Sequence, residues 1–148
     1  MIECVKLKNF GPLSDVEWSG LGKINLVIGG NGSGKTFLLK ALYSAMRTVE
    51  EYRRGDVEET TSEILVKKLR WTFQGDKVGD LVAKGADKNL RFDMHVDGSH
   101  FMYTFGRDTV KQIGNVENNV SKRDSNSIFL PAKEVLSLLE IILKSRED

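Results

Sequence analysis

The sequence predicts an α/β fold in which a buried strand runs into a glycine-rich loop and the loop into an amphipathic helix. Three observations predict it. Gly29-Gly30-Asn31-Gly32-Ser33-Gly34-Lys35-Thr36 fits the pattern G-x-x-x-x-G-K-[ST] at every position. Ile24, Leu26, Val27 and Ile28 form a short, almost wholly apolar run ending at Gly29, as expected of a strand covered on both faces. After Thr36, the apolar residues Leu38, Leu39, Leu42, Ala45, Met46 and Val49 recur at helical spacing and mark one stripe of a helix.

Glycines in such a loop let the backbone bend tightly and turn successive N–H groups inward, making a nest of donors for the β- and γ-phosphate oxygens of a nucleotide. Lys35 would reach the same oxygens as a point charge. Thr36 would offer its hydroxyl to a bridging Mg²⁺, and the helix that starts there would aim its partial positive end at the anion. The expected fold class is therefore a P-loop NTPase with ATP and Mg²⁺ as ligands. Its expected binding residues are Gly29, Gly30, Asn31, Gly32, Ser33, Gly34, Lys35 and Thr36, with Thr36 as the metal contact.

Composition bounds the reading. A chain of 148 residues builds one domain with a real core and is too short for two comfortable ones. Hydrophobic residues at 40% and charged residues at 29% describe an ordinary globular protein. A formal net charge of +1 gives no global reason to expect nucleic acid, and leaves local patches open. The one cysteine, Cys4, cannot form an internal disulfide, and there is no signal peptide or long apolar run. A reducing, cytoplasmic setting without a membrane follows. Cys4 reads as a small core residue of the first strand.

In chain order, residues 2–8, 13–18 and 23–28 read as three strands of a small meander. Pro12 fixes φ and cannot donate to a ladder, so the chain turns at Phe10-Gly11-Pro12. The meander precedes the loop, where simpler P-loop proteins have only one strand.

The string from Ile2 to Leu13, with its Lys8-Asn9-Phe10-Gly11-Pro12 turn, and the run from Ile24 through Asn31-Gly32-Ser33-Gly34-Lys35-Thr36 together resemble the start of ABC-type ATPase heads. The likeness is to DNA-repair and chromosome-maintenance heads and to OLD-like and phage-defence AAA/ABC ATPases, and it covers about the first third of the chain. Repair-type heads carry an arginine directly after Asn-Phe; Gly11 stands there in this chain, which favours the phage-defence branch. The resemblance implies a partial ABC-type head with an antiparallel β-subdomain. It implies a division into a meander and P-loop (1–49), a helical and β insert (50–126) and a Q-loop-like strand and helix (127–148).

Residues 50–61 are polar with mixed charge and read as a solvated helix end and loop. Ser62 would cap a helix over 63–70 whose face carries Ile64, Leu65 and Leu69, with Lys67, Lys68 and Arg70 as a surface basic cluster. Residues 90–105 form a hairpin about Asp97-Gly98, with Val96 opposite Ser99, His95 opposite His100, Met94 opposite Phe101, Phe92 opposite Tyr103 and Leu90 opposite Phe105. Two cross-strand histidines are too few to complete a metal site alone. By resemblance the hairpin belongs to the β-subdomain over the nucleotide's base side. Residues 106–126 have loop composition. Residues 127–130 make a short strand stopped by Pro131, and residues 132–144 read as a strongly apolar helix. The resemblance places a Q-loop glutamine after this strand; Glu134 is the residue available for a comparable catalytic role.

No strand of four apolar residues ending in Asp, the acidic metal-holding string such an ATPase needs, follows residue 36, and no Leu-Ser-Gly-Gly-like signature occurs. The expectation is an N-terminal half of an ATPase head that binds ATP. Its catalytic glutamate and signature would come from a missing C-terminal half or a partner, so that it dimerises or swaps through its last helix. Two other classes stay open: a P-loop kinase or GTPase, whose lid or base-reading motifs are not seen, and a non-catalytic interaction module with a vestigial loop.

Overall fold

The computed structural model describes residues 1–30, 32–54, 59–85 and 87–130. The strands are β1 (Ile2–Phe10), β2 (Leu13–Ser19), β3 (Leu90–Val96), β4 (Ser99–Phe105) and β5 (Asn115–Asn118), joined in one antiparallel sheet of order β2-β1-β3-β4-β5. The helices are α1 (Lys35–Glu51) and α2 (Thr61–Phe73), and a 3-10 turn spans Val78–Leu81. The α/β character and the antiparallel sheet agree with the sequence reading. The hairpin and the N-terminal strands share one sheet, because β3 pairs directly with β1.

Alternation sets the two faces. In β1, Val5 and Leu7 point inward and Cys4, Lys6 and Lys8 outward; Asn9 at φ 55 then breaks the period, so that Phe10 returns to the inner face. In β3, Leu90, Phe92, Met94 and Val96 are all buried on that same side. Leu38, Ala41, Ala45 and Val49 of α1 and Leu65 and Leu69 of α2 close over it to form the core. Asp97 and Gly98 both have positive φ, as a two-residue turn of this hand requires, and the hairpin register is the one read from the sequence.

Five readings are corrected. The strand expected over 23–28 is not formed: Ile24, Leu26 and Ile28 are 94%, 79% and 82% exposed, and only Val27 reaches the core. A strand exists by pairing, and among the described residues no other strand lies beside this one to complete its ladder. For the same reason residues 127–130 form no strand and instead run along α1, with Phe129 against the Tyr43 ring at 5.9 Å. The N-cap of α2 is Thr60, not Ser62: Thr60 and Glu63 exchange hydrogen bonds in a reciprocal capping box, while Ser62 Oγ donates to the Ile113 carbonyl at 2.6 Å. Glu50 is buried rather than solvated, since Ser125 and Ser127 donate to its carboxylate. Cys4 is half-buried on the outer face, not in the core. The expected helix over 132–144 lies outside the described residues.

Candidate functional site

The glycine loop enters α1 at Gly34, whose φ of 92 no side chain adopts without strain. Gly32 is also in the left-handed region at φ 80, and the Ser33 N–H donates to the Gly30 carbonyl at 3.2 Å, closing a tight turn. The helix takes hold immediately after, with the Leu38 N–H donating to the Gly34 carbonyl at 2.9 Å. No side chain caps this helix start and no acidic residue lies in its first turn. The N–H groups of Lys35, Thr36 and Phe37 precede the first intrahelical bond, and the partial positive end of α1 is uncompensated by any neighbouring carboxylate of its own turn.

That helix end opens on a hollow of about 340 Å³ lined by Pro12, Gly32, Ser33, Gly34, Lys35, Thr36 and Phe37. Lys35 folds back over the loop and its Nζ donates to the Gly29 carbonyl. Thr36 is exposed, its hydroxyl free to meet a cation at the mouth. Donor set and curvature thus suit an anion with a bound hard cation: backbone amides, one ammonium and the hydroxyls of Ser33 and Thr36, with no carboxylate in the lining to repel it. Of the residues expected from the motif, Gly32 to Thr36 meet at this hollow. Gly29 contributes through its contact with Lys35, Gly30 through its turn, and Asn31 lies outside the described residues, as does Glu134.

Three residues of this neighbourhood were not among the expected site residues. Pro12 walls the hollow, Phe37 lines it, and Gly11 packs against the Phe37 ring so closely that a side-chain carbon there would lie 2.4 Å from Phe37 Cζ. Only the pairing of β1 with β2 brings this turn to the loop, and local spacing carries no sign of it.

The outer face of the sheet holds a second cluster. Cys4 Sγ lies 3.4 Å from His95 Nδ1, the His95 and His100 rings stack at 4.8 Å, and His100 Nε2 is 3.0 Å from Asp93 Oδ1. Burial works to raise the Asp93 pKa, but hydrogen bonds from Arg91 and His100 outweigh it and hold the carboxyl below its ordinary value. Among the described residues no group of three or more His, Cys, Asp or Glu is arranged to hold a metal. The basic cluster on α2 is paired on the surface, Lys67 with Glu59 at 2.9 Å and Lys68 with Glu51 at 2.6 Å. Among the described residues no helix is long and apolar enough to cross a membrane.

Comparison with known proteins gives the same direction as the motif. The chain is 25% identical over 158 aligned positions, 99% of its length, to a DNA double-strand break repair Rad50 ATPase of Methanopyrus kandleri. It is 50% identical over 42 residues, 28% of its length, to the DNA replication and repair protein RecF of Idiomarina loihiensis. The chain spans only 18% and 12% of these relatives. No family model matches it. The resemblance to DNA-repair ATPase heads carried by the Asn9-Phe10 turn and the glycine loop is borne out by these two similarities. The preference for a phage-defence branch finds no support in them.

Proposed function

We propose that this chain binds ATP with Mg²⁺ at the hollow before α1, as the N-terminal portion of an ABC-type ATPase head. The observation that carries the reading is the uncapped start of α1 facing a hollow edged by Lys35 and Thr36. In this reading the amides from Gly32 to Thr36 cradle the β- and γ-phosphates and Lys35 swings from the Gly29 carbonyl onto their oxygens. The Thr36 hydroxyl takes one coordination position of the cation. When bound, Mg²⁺ would supply neutralisation of phosphate charge. Pro12 and Phe37 supply an apolar wall that keeps water off one side of the ligand.

Hydrolysis belongs to the complete parent protein. The acidic residue and signature it needs would come from a C-terminal half or a second copy closing on the nucleotide, with Glu134 the candidate from this chain. The similarity to repair proteins favours DNA repair as the process served, in the cytoplasm and with nucleic acid as the object of the assembly; phage defence is the other use of such a head.

Isothermal titration of Mg-ATP into the chain tests the reading. The wild type is expected to bind in the micromolar range or weaker and to turn over little or no ATP. Lys35→Ala is expected to weaken binding at least about tenfold, the loss of one charge-assisted contact. Equal behaviour of both proteins overturns it. Running GTP in parallel separates an ATPase head from a GTPase.

A further inference from the structure

We propose that the turn between β1 and β2 is a positioning element of the phosphate loop, setting its curvature through residues that never touch a phosphate. The turn grips the chain on both sides of the ligating pair Lys35–Thr36. Before the pair, Leu13 and Pro12 cover Gly34: a side-chain carbon at Gly34 would lie 2.8 Å from Leu13 Cδ2 and 3.4 Å from Pro12 Cγ. After the pair, the Phe37 ring occupies the space a side chain at Gly11 would need, 2.4 Å from Cζ and 2.6 Å from Cε1. Gly11 itself sits at φ 53, so another residue there is strained by conformation as well as crowded by the ring.

Neither contact is free to drift. The Gly11 N–H donates to the Leu81 carbonyl at 2.6 Å, and the Ala83 N–H donates to the Asn9 carbonyl at 2.9 Å, so the turn is tied from behind to the 3-10 segment. The Phe37 ring is held by Phe10 at 5.5 Å, edge-on, and by Phe73 at 4.7 Å. Gly34 needs such support because a glycine at positive φ has many other conformations available, and only this one aims the next amides into the hollow. A loop left to wander over them binds an anion more weakly by the fraction of time it spends elsewhere.

The inference rests on the nucleotide-binding reading for affinity, and stands apart from it for loop order. Gly11→Ala and Leu13→Ala test it, with Leu65→Ala as a control that empties a fully buried position in α2. Hydrogen exchange at the Ser33 and Leu38 amides, which are bonded to the Gly30 and Gly34 carbonyls on either side of the ligating pair, is expected to speed up at least about tenfold in both turn variants and not in the control. The Mg-ATP dissociation constant is expected to rise at least about tenfold in the same two proteins. Exchange within about twofold of wild type in the turn variants, or an equal rise in Leu65→Ala, overturns the inference by showing mere loss of stability. If wild type binds no nucleotide, the ATP reading falls and the exchange result alone decides. Should Gly11→Ala fail to fold, Leu13→Ala, which only trims a side chain, decides in its place.

Discussion

Tyr103 is fully buried among Phe10, Phe92, Phe101 and Phe105, and its hydroxyl has no hydrogen-bond partner among the described residues. Burial pushes the phenol well above its ordinary pKa, the expected result for a group whose charged form has neither water nor a donor. An unsatisfied buried hydroxyl costs about 1–3 kcal/mol, whereas the ring is among the largest contributors to the core. Tyr103→Phe removes the first and keeps the second, so it should stabilise the protein by about 1 kcal/mol and raise Tm by about 2–4 °C. Calorimetry checks this, and a lowered Tm would mean that the hydroxyl has a polar partner in solution. Glu50 is the opposite case, a fully buried carboxylate that is well supplied: the Ser127 N–H and Oγ donate to it at 2.9 Å each. Glu50→Ala strands those donors and should cost about 1–3 kcal/mol, with faster amide exchange at residues 125–127 as the local signature. No such exchange change would show the clasp to be dispensable.

The elements differ in how far local chemistry dictates them. The β3–β4 hairpin is legible to the residue because Asp97-Gly98 demands one turn type and the flanking alternation permits one register. The start of α2 is equally legible, since Thr60-Thr61-Ser62-Glu63 spells a capping box: the glutamate stands three residues after Thr60, whereas Leu65 stands three residues after Ser62. β5 was not legible: Asn115, Val116, Glu117 and Asn118 have little strand propensity, and β4 makes the strand by presenting Thr104 to Phe101 as an edge. The glycine loop is legible as a chain of donors, but its wall at Pro12 comes from the turn that the pairing of β1 with β2 makes. The outer sheet face shows the same dependence: the contact of Cys4 with His95 joins residues 91 positions apart. On that face Asp93 is held below its ordinary pKa despite burial by its bonds to Arg91 and His100. A depressed carboxylate adds stability that is whole above the unfolded Asp value of about 3.9 and is lost as pH falls through the lower folded value. Acid titration followed by circular dichroism should therefore show Asp93→Asn losing less stability below about pH 4 than wild type. Parallel curves would mean that Arg91 and His100 do not favour the charged form.

At the scale of the whole molecule, the sheet and two helices close one core, while two apolar segments stay outside it. Ile24, Leu26 and Ile28 before the loop and Ile128 and Leu130 beside α1 are between 60% and 94% exposed, among the largest apolar exposures in the described residues. Both segments were read from sequence as strands, and their backbones lack ladder partners among the described residues. Exposed aliphatic side chains next to unpaired backbone are the chemistry of an edge that recruits another strand. The whole chain at concentrations of tens of micromolar is therefore expected to self-associate, as sedimentation velocity can show. Leu26→Lys with Ile128→Lys should shift it toward monomer without lowering the melting of the core, because neither side chain packs in it. The direction also predicts what association does to the site. Pairing residues 24–28 into a ladder would fix the entry to Gly29, so that Mg-ATP should bind more tightly to the associated form, and by linkage should drive association. A wild type that stays monomeric at every concentration, with or without Mg-ATP, would show that these residues gain nothing from a partner and that the loop is as ordered alone as it ever becomes.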